Sequence, residues 1–101
     1  MSLSTHVLDT AHGRPAAGVA IELTLPDGTR RTAKTDDDGR VRLADETTAG
    51  EYELVFAVGD YFGDAAFLGV VPVRFRVADA AQKYHVPLLV TPWSYSTYRG
   101  S

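Results

Sequence analysis

The chain has 101 residues, a formal net charge of −3, a mass of 10.9 kDa and no cysteine. That length fits one domain over residues 1–101, which buries roughly two-thirds of its unfolded surface and so holds a core without staples. The missing thiols exclude disulfides, thiolate zinc sites and a cysteine nucleophile, while the acidic balance excludes a nucleic-acid surface made of clustered Lys and Arg.

Residues 1–4 form no apolar leader, and no stretch approaches the roughly twenty apolar residues of a membrane span, so the expected address is the cytoplasm, with no membrane partner. Residues 5–10 then alternate Val7 against His6 and Leu8, a strand followed by a loop punctuated by Gly13 and Pro15. Residues 18–25 alternate cleanly, placing Val19, Ile21, Leu23 and Leu25 on one face and Glu22 and Thr24 on the other. Pro26-Asp27-Gly28 turns the chain into a hairpin with residues 30–35. A second turn, Asp36-Asp37-Asp38-Gly39, leads into a short strand over 40–43, with Val41 and Leu43 together and Arg40 on the opposite face.

After a polar loop over 44–50, residues 51–58 present Tyr52, Leu54, Phe56 and Val58 on one side. Residues 60–69 lose the two-residue alternation; Phe62, Ala65, Ala66 and Phe67 at near-helical spacing predict a short helix, limited by Gly63. Residues 71–77 place Val71, Val73, Phe75 and Val77 inward, with Arg74 and Arg76 outward. A turn over 78–82 follows. Residues 84–90 form a strand that is apolar on both faces, Tyr84, Val86, Leu88 and Val90 against His85, Pro87 and Leu89. An exposed antiparallel strand normally shows a polar side, so a second protein surface is expected to cover the latter face. Pro92 breaks the run, and a last strand puts Ser94, Ser96 and Tyr98 on one face and Tyr95, Thr97 and Arg99 on the other. About eight short strands at regular spacing predict a sandwich or barrel.

The chain has three histidines, the residue type whose unperturbed pKa lies nearest neutrality, and two of them, His6 and His85, lie in strands and point away from their own core. Taken singly, each reads as a satisfied or exposed polar neighbour. Their distance in sequence, the lack of H-x-H or H-x-x-x-H spacing and the lack of cysteine argue against a metal site. The aspartate run lacks the alternate spacing and closing glutamate of a calcium loop. No G-x-S-x-G elbow surrounds Ser94, Ser96 or Ser101. Arg40 and Arg99 are either solvated strand ends or bidentate holders of a planar, electron-rich ligand.

His6-Val7-Leu8-Asp9, Gly13-Arg14-Pro15-Ala16, Asp38-Gly39-Arg40, Tyr84-His85-Val86-Pro87-Leu88-Leu89 and Ser94-Tyr95-Ser96-Thr97-Tyr98-Arg99-Gly100-Ser101 together resemble the transthyretin-related family. The two strand histidines and the Tyr-Arg-Gly-Ser ending are similar to its enzymatic branch, the 5-hydroxyisourate hydrolases, rather than to the hormone-carrying transthyretins. The resemblance implies an all-β fold, a transthyretin-like two-sheet antiparallel β-sandwich of about eight strands with one short helix. It implies a homotetramer with active sites at the subunit interface and a small purine-derived substrate. The implied reaction is hydrolysis of 5-hydroxyisourate to 2-oxo-4-hydroxy-4-carboxy-5-ureidoimidazoline, without metal or organic cofactor. By the same match His6, Arg40, His85 and Tyr98 are catalytic, and Arg99, Gly100 and Ser101 bind substrate, with anchoring of the terminus as the alternative role for Arg99. Two departures stand out: Lys83 replaces the first histidine of the family's H-Y-H, and Phe67-Leu68-Gly69 replaces its aromatic-Pro segment. The competing expectations are a carrier of a planar aromatic ligand in the same channel, and a purely structural sandwich.

Overall fold

The computed structural model describes every residue from Met1 to Ser101. The alternating segments become strands β1 (Leu3–Asp9), β2 (Arg14–Pro15), β3 (Ala20–Thr24), β4 (Arg30–Lys34), β5 (Arg40–Ala44), β6 (Gly50–Phe56), β7 (Val71–Val77), β8 (Tyr84–Val90) and β9 (Tyr95–Thr97), with one helix, α1 (Val58–Phe62). They form two sheets. One runs β2-β1-β8-β9, with β5 also paired to β1; the other runs β4-β3-β6-β7. Their facing residues, among them Val7, Leu23, Tyr52, Leu54, Phe56, Val71 and Leu88, make one buried apolar cluster. The expected two-sheet sandwich with one short helix is therefore the observed architecture. No helix is long and apolar enough to cross a membrane.

Three details differ from the sequence reading. First, the strand count rises to nine because Arg14–Pro15, expected in a loop, pairs with Leu8 and Asp9. Secondly, pairing is antiparallel everywhere except between β1 and β8, which run parallel with Leu3 opposite Tyr84 and Val7 opposite Leu88. A parallel pair needs a long crossover, and here the whole second sheet supplies it. Thirdly, the helix begins at Val58, which was read as the end of a strand, and stops at Gly63, whose φ of 91° suits glycine. Phe67, counted in the helical spacing, is instead 78% exposed on the following loop. That loop is tied down by its backbone, since the N–H groups of Phe67 and Leu68 both donate to the Pro92 carbonyl at 3.0 Å.

One turn sets the approach of β5 to β1. In the aspartate-rich turn Asp36 Oδ1 accepts from the N–H groups of Asp38 and Arg40, both at 2.9 Å, so that carboxylate closes the turn. Gly39 then passes so close to β1 that a Cβ would lie 2.5 Å from the Val7 carbonyl oxygen, and its φ is +76°. This contact delivers Arg40 to the strand edge beside His6.

Candidate active site

On β1 the two-residue period sends Leu3, Thr5, Val7 and Asp9 into the core and turns Ser4, His6 and Leu8 to the opposite face. Register extends that outer face across the sheet. Ser4 lies opposite His85 and His6 opposite Pro87 on β8, while on the other side of β1 His6 lies opposite Arg40 on β5. Leu89 pairs with Ser96 on β9, and an isolated bridge joins His85 to Gly100. Directly paired residues share a face, so His6, Arg40 and His85, far apart in sequence, stand on one patch with Ser4 and Gly100. The same register beyond Thr97 puts Tyr98 on this face, where it is 59% exposed.

His6 Nε2 lies 2.9 Å from the Asp38 carbonyl oxygen. A carbonyl only accepts, so Nε2 carries the proton and the neutral ring keeps its acceptor at Nδ1. His85 Nδ1 lies 2.9 Å from Ser4 Oγ, and the Gly100 N–H donates to the His85 carbonyl at 2.7 Å. Burial, and then the electrostatic effect of the neighbouring His6, Arg40 and Lys83, hold the His85 pKa below the ordinary histidine value. Its imidazole is thus kept neutral, as a proton acceptor must be. The Arg40 guanidinium forms no hydrogen bond or ion pair within the chain, and its own N–H is fixed by Asp36.

Arg99 does not join this patch. Its guanidinium sits 4.2 Å above the Tyr84 ring and donates to Gln82 Oε1 at 2.8 Å, on the core-facing side of β8. Alternation after Tyr98 turns it to the face opposite His6, Arg40 and His85. Ser101 is exposed beyond the His85–Gly100 bridge. Ser4 is the residue that sequence reasoning missed. Its place on the face of His6 follows from alternation, but its contact with His85 depends on the parallel pairing, which no local pattern announces.

A cleft of about 230 Å3 opens between β7 and β9, lined by Phe75, Tyr84, Val86 and Arg99. None of the chain's three clefts is lined by His6, Arg40 or His85. In the single chain the histidines therefore occupy an open face, bordered by half-buried Leu8 and Leu89.

The model of the HIUase/Transthyretin family matches residues 3–100. This chain belongs to that family. It is 53% identical over 114 residues to the 5-hydroxyisourate hydrolase of Mesorhizobium japonicum, covering 98% of this chain and 91% of the relative. Among solved structures it is similar to Klebsiella pneumoniae 5-hydroxyisourate hydrolase, at 32% identity and a TM-score of 0.89 with both chains fully covered. Sea bream transthyretin in complex with thyroxine is also similar, at 28% identity and a TM-score of 0.85, covering 97% of this chain and 93% of the other. The relatives thus include a 5-hydroxyisourate hydrolase and a transthyretin in complex with thyroxine on one fold.

Proposed function

We propose that this chain hydrolyses 5-hydroxyisourate at the His6–Arg40–His85 face, as a homotetramer and without metal or organic cofactor. The observation that carries the reading is the meeting of two imidazoles and an unpaired guanidinium on one strand-paired patch, in a chain about half identical to a named hydrolase. Hydrolysis of a ring amide needs a base for water, a cation for the oxyanion and a proton for the leaving nitrogen. His85, held neutral by burial and its cationic neighbours, takes a proton from water at Nε2. The water oxygen bonds to the carbonyl carbon, whose π pair moves to oxygen beside Arg40. The C–N bond then breaks, its electron pair stays on nitrogen, and the imidazolium returns the proton there, leaving a carboxylic acid that ionises. His6, with Nδ1 free, orients the water. Tyr98 and Ser101 shape the pocket.

Assembly enters because the site is open in one chain. Trp93 in the β8–β9 corner and Tyr98 just past β9 are 68% and 59% exposed, and a second copy laid over this face would enclose the histidines. The test is ultraviolet decay of freshly generated 5-hydroxyisourate with and without the protein. Acceleration in proportion to enzyme, above the spontaneous rate, is the expected result. An unchanged decay from an intact tetramer would replace the hydrolase with a carrier.

The pH dependence follows from His85. Its neutral form is the active one, so kcat/KM falls as pH drops, and the depressed pKa puts that acid limb below the usual histidine value of about 6.5. Replacing Lys83 by Gln removes one of the charges responsible and moves the limb back upward. A limb unmoved in a Lys83→Gln pH–rate profile would contradict this. Folding carries the same sign: the unfolded chain binds the His85 proton more tightly, so this group lowers stability as pH falls through the ordinary histidine value.

A further inference from the structure

The His85 imidazole is held from both sides by its two neighbours in the sheet. On the β1 side Ser4 Oγ meets Nδ1 at 2.9 Å. On the other side lies Gly100, where an added Cβ would come within 2.6 Å of His85 Cδ2 and 3.3 Å of Cγ. Gly100 does not have a positive φ, so its backbone does not call for glycine. The ring's seat on the tail does. Nδ1 and Cδ2 both flank Cγ, so contacts on these two atoms leave the far edge of the ring, carrying Nε2, pointing off the sheet toward the patch shared with Arg40.

We infer that Ser4 and Gly100 are positioning residues for hydrolysis: Ser4 accepts from His85 Nδ1–H and Gly100 leaves room for the ring, so that an unprotonated Nε2 faces the substrate. The inference rests on the proposed hydrolase reading and adds two residues that act only through His85. A neutral imidazole has one donor and one acceptor nitrogen, so engaging Nδ1 as the donor fixes Nε2 as the base. Ser4→Ala frees the ring to exchange tautomers, and Gly100→Ala tilts it away from the tail.

The experiment joins kinetics with nitrogen-15 NMR of the imidazole in the substrate-free protein. Ser4→Ala and Gly100→Ala are each expected to lower kcat about ten- to a hundredfold with KM little changed, as misplacement of a reacting group does. Ser4→Thr, which keeps the hydroxyl, is expected to restore the rate. In a His85→Asn background neither substitution should lower the residual rate further. The NMR shifts of wild type should report the Nδ1–H tautomer of His85, and those of Ser4→Ala a mixture with Nε2–H. A wild-type Nε2–H tautomer, ring shifts unchanged by both variants, or equal losses in the His85→Asn background would each overturn the inference. The NMR arm needs no turnover. If wild type shows the held tautomer yet leaves 5-hydroxyisourate decay unchanged, the hydrolase reading fails while the role of Ser4 and Gly100 in holding the ring stands.

Discussion

His85→Asn is expected to reduce the hydrolysis of 5-hydroxyisourate by about a hundredfold to ten-thousandfold, the range that a positioned acid–base group supplies. Asparagine keeps a polar group near the Nδ1 position, within reach of Ser4 Oγ, and leaves the Gly100 N–H bonded to the strand carbonyl. It supplies no nitrogen that titrates near neutral pH. The fold should therefore persist while the proton transfer is lost. Circular dichroism and sedimentation of the variant check the first half, and the ultraviolet decay assay checks the second. A loss below tenfold would mean that another group takes the proton from water, with His6 Nδ1 the nearest alternative on this face. A carrier would respond differently, losing affinity for its ligand with no rate to lose.

Asp9→Ala is expected to destabilise the fold by about 3 kcal/mol, the upper end of the cost of leaving buried hydrogen-bond donors without their acceptor. Asp9 is fully buried at the end of β1. Its carboxylate accepts from the N–H groups of Ala11 and His12, from His12 Nδ1 at 2.8 Å and from the Tyr61 hydroxyl at 2.8 Å. Burial pushes the Asp9 pKa upward, but the hydrogen bonds from His12 and Tyr61 outweigh it and hold the carboxyl below its ordinary value. The network joins the loop after β1 to helix α1, so alanine strands donors in both. For a domain of this size that loss corresponds to a fall of roughly 10–20 °C in Tm. Urea unfolding at fixed protein concentration measures it; a change under about 1 kcal/mol would show that water replaces the carboxylate without cost. The sign with pH is opposite in origin to that of a base with a raised pKa. Because the folded pKa is depressed, the contribution is complete above the unfolded value near 3.8 and is lost as pH falls through the folded value.

The pH windows of the two groups separate. Stability lost as pH falls through the ordinary histidine value of about 6.5 reports His85, whereas loss below the ordinary aspartate value near 3.8 includes the Asp9 contribution. Asp9→Ala should shrink the second window and leave the first.

What the sequence by itself determined is whatever depends on neighbours along the chain. Alternation in residues 19–25, 52–56, 71–77 and 84–90 located strands and their inner faces, because side chains two apart share a side. Gly63 limited the helix, and Asp36 closed its turn through donors two and four residues away. The outward direction of His6 and His85 was equally legible, as was the resemblance that named Arg40 and the tail. The tertiary structure decided what depends on which strands lie side by side. The parallel pairing of β1 with β8 brings Ser4 to His85, and the pairing of β5 with β1 brings Arg40 to His6. Neither register can be read from one strand, since the free energy that selects it is the burial of Leu3, Val7, Tyr84 and Leu88 against the opposite sheet. The pairing of β9 with β8 sets Arg99 over Tyr84. Chemistry was written in residue types, and its geometry was settled by a core on the other side of the sheet.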